Sequence, residues 1–377
     1  QQGVSTMTNR SGEIIDTARN PFKLLTKELL PFHGQSPEIP FCGGAMGYFG
    51  YNLLNDAEQT DDRQSCIQRI PDMAIGVYDW AIITDHELGE TYLVSAGKDE
   101  RSQEIIHRLL NSVSVPSSPA ITPSSSPLVV DHLETDIDRE IYQDGFARIQ
   151  KYLLDGDCYQ INYARCFFAN TSGSSWESYK QLRKANPVPF GAYLNYPFAQ
   201  ILCASPERFV QVTGNTVETR PIKGTRPRSS NITEDEKLKN ELLQSEKDQA
   251  ENLMIVDLLR NDLGKSCQPG TIHVPELFQV ESYPTVFHLV SSIEARVAPD
   301  KSALDVLQDC FPGGSITGAP KKRAMEIIRE LEKHKRGVYC GAIGYISFNG
   351  NMDTNIAIRT MTVSEGRLAF WAGGGIV

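Results

Sequence analysis

Apolar residues recur along this chain at two spacings, which predict amphipathic helices and half-buried strands. Apolar positions three and four residues apart indicate helices at residues 20–30, 100–110, 138–154, 245–264 and 320–334. Alternating or β-rich segments indicate strands at residues 41–51, 73–84, 90–95, 159–168, 339–348 and 352–363, and a last strand that reaches Trp371. This strand-rich pattern is compatible with an α/β protein.

Local capping and turn residues sharpen two of these predictions. Ser245 and Asp248 form a pair like a capping box at a helix start, and Gly264 marks the end of that helix. Asn349 and Gly350 form a favoured tight turn. The strands on either side of this turn are therefore predicted to pair as a hairpin.

A stretch rich in serine and proline divides the chain. Residues 112–130 contain four prolines and cannot form a regular helix or a central strand, so they are predicted to be an exposed linker. The linker separates an N-terminal part, residues 1–111, from residues 131–377, which carry the candidate chemistry.

Composition excludes some classes of protein. The net charge of the 377-residue chain is −10 and no dense block of lysine and arginine occurs, which argues against nucleic-acid binding. No apolar run approaches the roughly 18–20 residues that cross a bilayer, and the first ten residues lack an apolar signal core. Eight scattered cysteines without a Cys-x-x-Cys pair predict reduced thiols in a cytoplasmic protein.

The most informative residue is Lys223, which lies in a run of proline, glycine and threonine at residues 219–227. Such a frame is stiff and lets another molecule approach the backbone, so Lys223 could be a placed nucleophile. A salt-bridged lysine on a surface turn is the alternative. Glu207, between strand residues, could be a general acid or base. A turn near Gly214 could set Glu207 and Lys223 face to face.

Three segments could bind a small anion. Residues 311–320 are glycine-rich and open into a helix, where free N–H groups favour a carboxylate or phosphate, although a plain loop-to-helix junction is the alternative. Gly373, Gly374 and Gly375 could curl into an anion nest or be a flexible end. Arg359, placed inside a predicted strand, could hold a carboxylate or form a structural salt bridge.

Two carboxylates could hold a metal ion. Asp248 and Glu251 are three residues apart on a predicted helix and therefore share a face. Mg²⁺ binds such oxygen ligands and usually shares its coordination with water and substrate. The alternative leaves Asp248 to helix capping and Glu251 to solvent.

Taken together, five motifs resemble those of the chorismate-utilising enzymes, and the similarity runs from about Phe41 to Val377. The motifs are at residues 205–209, 220–225, 251–262, 311–321 and 372–377. The resemblance implies one large α/β domain with two mainly antiparallel sheets packed orthogonally and helices on the outside. It also implies a tryptophan pocket, to which Pro189, Phe190 and the N-terminal part contribute. In this family a helix with a second metal-binding glutamate follows the glycine run, beyond Val377.

The resemblance also implies a reaction. A lysine at the position of Lys223, with Gln160 where water-using members have a lysine base, resembles members that aminate chorismate at C4 to 4-amino-4-deoxychorismate for folate biosynthesis. Lys223 would attack C2, and ammonia from a separate glutamine amidotransferase subunit would then add at C4. Glu207 would act as general acid and base, His288 and Thr317 would assist near the leaving groups, and Glu251 with Asp248 would bind Mg²⁺. Chorismate would be held by Gly224, Thr225, Lys321, Tyr339, Arg359, Gly373, Gly374 and Gly375.

Elementary electrostatics sets two conditions that the implied reaction must meet. Chorismate is a dianion and the protein is net negative, so substrate capture must be local, by Mg²⁺, Arg359, Lys321 and backbone N–H groups. A free lysine has a pKa of about 10.4, so a neutral amine at pH 7 costs about 4.6 kcal/mol unless burial or positive charge lowers the pKa. The alternatives are anthranilate synthesis, against which Lys223 argues, and a catalytically silent tryptophan-sensing subunit.

Overall fold

The computed structural model describes residues 4–29, 39–54, 64–113 and 125–377. Its strands are β1 (Ser5–Thr8), β2 (Ile14–Ala18), β3 (Gly44–Phe49), β4 (Met73–Tyr78), β5 (Trp80–Asp85), β6 (Glu90–Ser95), β7 (Val129–Val130), β8 (Glu134–Thr135), β9 (Gln160–Ser172), β10 (Phe190–Asn195), β11 (Gln200–Ser205), β12 (Arg208–Thr213), β13 (Thr216–Thr219), β14 (Ile222–Pro227), β15 (His273–Ser282), β16 (Val286–Arg296), β17 (Gly318–Ala319), β18 (Ala342–Ser347), β19 (Met352–Ile356), β20 (Thr360–Ser364) and β21 (Arg367–Ile376). Its helices are α1 (Pro21–Glu28), α2 (Glu100–Val113), α3 (Arg139–Leu154), α4 (Ser175–Ala185), α5 (Ile232–Leu243), α6 (Glu246–Leu263), α7 (Ala303–Cys310) and α8 (Lys321–Leu331), with a 3-10 turn at Gly314–Ile316.

Two large antiparallel sheets organise the described part of the chain. An eight-stranded sheet has the order β10-β11-β20-β21-β9-β17, with β7 and β8 also pairing with β9. A nine-stranded sheet has the order β14-β16-β13-β12-β19-β18-β3-β4, with β15 on the far side of β16. The strands β1 and β2, and β5 and β6, form separate hairpins. The predicted pair of mainly antiparallel sheets is confirmed.

The chain passes from one sheet to the other at two neighbouring crossovers. The first, between β11 and β12, carries Glu207, and the second, between β19 and β20, carries Arg359. The crossovers are tied together: the Ile356 N–H donates to the Glu207 carbonyl (3.1 Å) and the Ala204 N–H donates to the Arg359 carbonyl (3.1 Å). The single strand predicted over residues 352–363 is therefore wrong, because the chain changes sheets at residues 357–359.

Helix α6 confirms the local prediction of its ends. The Ser245 hydroxyl accepts a hydrogen bond from the Asp248 N–H (3.3 Å), and Gly264 is the C-cap. The buried face of α6 belongs to the largest apolar core, together with α7 and strands of the nine-stranded sheet. This packing fixes the helix that carries Asp248 and Glu251 against β14 and β16.

Two other predicted segments differ from the structure. Strand β21 continues through the three glycines, so that Gly373 lies opposite Ala164 and Gly375 lies opposite Asn162 of β9. The predicted curled anion nest is therefore wrong, because these residues are extended. Helix α8 ends at Leu331, three residues earlier than predicted, because the next residue, Glu332, has an extended backbone; its carboxylate forms a buried ion pair with Arg336.

The N-terminal part supplies strands β3 and β4 to the nine-stranded sheet. Most of the predicted linker, residues 114–124, lies outside the described residues, but Val129–Val130 within it pairs with β9. All eight cysteines are free thiols, and Cys66 is the exposed one. Within the described ranges, no helix is long and apolar enough to cross a membrane.

Candidate active site

Lys223 and Glu207 each interact with Ser315, which lies in the 3-10 turn of the glycine-rich loop. The Lys223 ammonium donates to the Ser315 carbonyl oxygen (3.4 Å). The Glu207 carboxylate is buried and accepts hydrogen bonds from the Ser315 hydroxyl and the Ile222 N–H. The Gly214 turn joins β12 and β13, and Lys223 then lies on β14, one strand later than the simple hairpin predicts.

Burial shifts the pKa of both groups in the direction that favours their uncharged forms. Removal from water raises the pKa of the Glu207 carboxyl above its ordinary value, although Ser315 and the charges of Lys223 and Arg359 oppose this shift. Removal from water likewise lowers the pKa of the Lys223 amine, against the opposing charges of Glu207 and Glu251. An amine that loses its proton more readily beside a carboxyl that keeps its proton suits a nucleophile and a general acid.

Gly224 is a glycine because side chains of helices α5 and α6 approach it closely. Its φ is +80°, and a Cβ at this position would lie 2.9 Å from Cγ of Asp248 and 2.8 Å from Cδ1 of Leu242. The pairing of β14 with β16 is irregular at the same place, between Ile222 and Thr225. This irregularity lets the backbone next to Lys223 follow the surface formed by α5 and α6.

His288 lies beside this segment on β16. The ring is buried, and its Nδ1 is 2.9 Å from the Thr225 hydroxyl. Burial, followed by the charge of Arg359, lowers the pKa of the His288 ring. This lowered pKa favours the uncharged form of the ring, on the strand next to Lys223.

Arg359 is exposed and has a φ of +50°, which is strained for a residue with a side chain. Among the described residues, its guanidinium has no hydrogen-bonding or ion-pair partner. Its charge nevertheless acts on Glu207 and His288. A strained, unpaired arginine at the edge of a buried acid–base pair is suited to bind an anionic substrate.

The two candidate metal ligands differ in their surroundings. Asp248 is paired with Arg226 (3.2 Å), whereas the Glu251 carboxylate is 3.7 Å from the exposed Lys247 ammonium and its charge reaches Lys223. The described part of the chain holds no group of three or more potential metal ligands. Binding of Mg²⁺ by Glu251 and Asp248 therefore stays a prediction, in which substrate and water would supply the other ligands.

Thr317 lies within the glycine-rich loop, and Gln160 of β9 pairs with Ala319 near the end of that loop. Both are buried, and neither the amide oxygen nor the amide nitrogen of Gln160 has a hydrogen-bonding partner. A Cβ on Gly375 would lie 3.2 Å from the Gln160 amide carbon, so the third glycine leaves room for this side chain. The Thr317 hydroxyl donates to the Gly313 carbonyl (3.0 Å) and fixes the loop.

Two other predicted residues, Lys321 and Tyr339, have partners of their own. Lys321 pairs with the buried Asp262 (2.5 Å) and lines a separate cavity of about 720 Å³. Tyr339 stacks on Trp371, with ring centroids 5.9 Å apart. The role of Lys321 and Tyr339 in holding chorismate stays a prediction.

The two residues predicted for a tryptophan pocket, Pro189 and Phe190, have different surroundings. Pro189 lines a cavity of about 270 Å³, together with Tyr179 and Gly191. The Phe190 ring instead faces the Arg208 guanidinium at 5.1 Å.

Sequence reasoning missed Ser315 and Asp262. Ser315 contacts both Lys223 and Glu207, and its only sequence signal is its position in the glycine-rich loop. Asp262 is 2% exposed and binds Lys265 as well as Lys321. Its closeness to Lys321 depends on long-range packing that a sequence pattern does not show.

Comparison with known proteins defines the class to which this fold and site belong. The chain belongs to the chorismate binding enzyme family, whose match covers residues 3–377. It is 45% identical over 374 residues to aminodeoxychorismate synthase component 1 of Klebsiella aerogenes, covering 98% of this chain and 81% of that protein. It is 43% identical over 380 residues to aminodeoxychorismate synthase component 1 of Escherichia coli strain K12, covering 100% of this chain and 81% of that protein.

A solved structure supports the same placement. Anthranilate synthase component I from Streptococcus pneumoniae superposes with a TM-score of 0.86 at 32% sequence identity, covering 99% of this chain and 85% of that one.

Proposed function

We propose that this chain aminates chorismate at C4 to give 4-amino-4-deoxychorismate for folate biosynthesis. The relatives named aminodeoxychorismate synthase component 1 support this activity. The observation that carries the proposed mechanism is the contact of Lys223 and Glu207 through Ser315, where burial lowers the pKa of the amine and raises that of the carboxyl. This combination is the one that covalent lysine catalysis requires.

In the first step, the neutral Lys223 amine forms a bond to C2 of chorismate. The ring double bonds shift, and the C4 hydroxyl leaves as water with the proton of Glu207. In the second step, ammonia adds at C4, the double bonds shift back and the Nζ–C2 bond breaks. The Glu207 carboxylate takes the proton that ammonia releases, so chorismate and ammonia yield the amine product and water.

The surrounding charges have separate roles in this proposal. Arg359 binds a carboxylate of chorismate, because no described residue pairs with its guanidinium and its charge acts on Glu207. Glu251 would hold Mg²⁺ beside Lys223, and the ion would supply positive charge for a substrate carboxylate. Gln160 cannot take a proton from water, so it favours ammonia over water as the nucleophile.

Two partners complete the proposal. A glutamine amidotransferase subunit would supply ammonia, consistent with relatives named as one component of a synthase. A tryptophan molecule would occupy the cavity at Pro189, whose volume of about 270 Å³ admits a small ligand.

The test replaces Lys223 with alanine and measures 4-amino-4-deoxychorismate formed from chorismate, Mg²⁺ and ammonium. Lys184→Ala, which removes an exposed lysine from the last turn of α4, is the control. We expect Lys223→Ala to lose turnover and the control to retain it. Formation of anthranilate with pyruvate release by the unaltered chain would instead identify an anthranilate synthase. No turnover of chorismate by that chain would favour a silent subunit.

A further inference from the structure

A chain of charged and polar side chains runs along the nine-stranded sheet and ends at His288. Arg220, between β13 and β14, contacts the Glu281 carboxylate on β15. The Tyr283 hydroxyl donates to the other oxygen of the same carboxylate (2.8 Å). The Tyr283 ring then meets the His288 ring edge to face, with centroids 5.4 Å apart.

The pairing of the strands explains why these residues converge. In the register of β15 with β16, Glu281 lies directly opposite His288. Tyr283 follows in the turn between these strands, where its N–H donates to the Val286 carbonyl (2.9 Å). On the other side of β16, Thr225 of β14 lies opposite His288 and contacts its Nδ1. The imidazole is therefore held between two strands and one turn.

We propose that Arg220, Glu281 and Tyr283 form a positioning unit for His288, in which Tyr283 and Thr225 fix the ring and Arg220 offsets the Glu281 charge so that the ring stays uncharged. This inference rests on the proposed function and adds to it the role near the leaving groups that the family resemblance implies for His288. An uncharged ring can accept a proton, whereas an imidazolium beside Lys223 would repel the ammonium and any bound Mg²⁺.

The groups that face His288 act in opposite directions. Arg359, on the crossover between the sheets, lowers the pKa of the ring, and burial acts in the same direction. Glu281 raises it, as does a hydrogen bond with the Gly224 backbone. Because Glu281 is the carboxylate that acts on the ring, the arginine that pairs with Glu281 controls how strongly the ring holds a proton.

The test is an NMR titration of the histidine side chains in the intact protein without substrate, with His288→Gln used to identify the His288 signal. Glu281→Gln removes the negative charge, so we expect the pKa of His288 to fall by about one unit. Arg220→Gln leaves that charge uncompensated, so the pKa should rise by about one unit. The double variant should return close to the value of the unaltered chain.

A matched control separates this effect from general loss of structure. Glu276 also pairs with Arg220 (3.3 Å), but it lies opposite Ser292 rather than His288, so Glu276→Gln should leave the pKa of His288 in place. Shifts of Glu281→Gln and Arg220→Gln in the same direction would overturn the proposal. A shift in the pKa of His288 in Glu276→Gln as large as that in Glu281→Gln would also overturn it. If Arg220→Gln does not fold, the proposal is tested by comparing the pKa of His288 in Glu281→Gln with that in Glu276→Gln.

A kinetic measurement tests the positioning role of Tyr283. Tyr283→Phe keeps the ring that packs on His288, and Tyr283→Ala removes it. We expect Tyr283→Ala to lower kcat about tenfold or more with little change in the KM for chorismate, and Tyr283→Phe to retain most of kcat. Equal loss in both variants would contradict a role of the ring. The titration needs no turnover, so failure of this inference is distinguishable from failure of the proposed function.

Discussion

Replacement of Gly224 by alanine tests how tightly helices α5 and α6 pack against the backbone beside Lys223. The new Cβ would lie 2.8 Å from Leu242 Cδ1 and 2.9 Å from Asp248 Cγ, and the residue would have to adopt a φ of +80°. Left-handed backbone costs a non-glycine residue about 1–2 kcal/mol. Overpacking adds about 1–3 kcal/mol to this cost. The reduced conformational freedom of the unfolded alanine variant offsets about 0.4–1 kcal/mol of it. The expected loss in the free energy of unfolding is therefore about 2–4 kcal/mol.

Gly214 is the matched control for this substitution. Its φ is +60°, but a Cβ at Gly214 would meet no atom within 4 Å, so Gly214→Ala should cost only about 1 kcal/mol. Urea unfolding followed by tryptophan fluorescence measures both losses. Equal losses in the two variants would refute the claim that contact with α5 and α6, rather than backbone strain alone, requires glycine at position 224.

Two further predictions concern buried polar groups. Ser315→Ala removes a hydrogen bond that lowers the pKa of Glu207, so the alkaline limb of kcat/KM for chorismate, measured at constant free ammonia, should move to higher pH. A limb that moves to lower pH would exclude Glu207 as the acid. Glu332→Gln leaves Arg336 buried without its ion-pair partner and should cost about 3–5 kcal/mol in urea unfolding. A cost below about 1 kcal/mol would contradict this expectation.

The elements that sequence predicts well are those whose ends are determined locally. Helix α6 begins and ends where Ser245 and Gly264 indicate, because capping and chain reversal depend on neighbouring residues. The hairpin of β18 and β19 likewise forms about Asn349 and Gly350. In both cases the local preference and the global fold agree.

The parts that sequence predicts poorly depend on distant strands. The crossover at Arg359 interrupts what reads as one strand, because residues on either side pair with different sheets. Gly375 is extended because β9 pairs with it, and no local signal marks that pairing. The candidate site shows the same limit: Lys223 and Glu207 could be named from their motifs, but their common contact with Ser315 follows from packing of the glycine-rich loop.

The most direct test of covalent lysine catalysis is intact-protein mass spectrometry after incubation with chorismate and Mg²⁺ but without ammonia. We expect an adduct with the mass of chorismate less one water, which peptide mapping places on Lys223 and which disappears when ammonium is added. The adduct should be absent from Lys223→Ala. Turnover of chorismate to the amine at an unchanged rate by Lys223→Ala, without any adduct, would contradict the account.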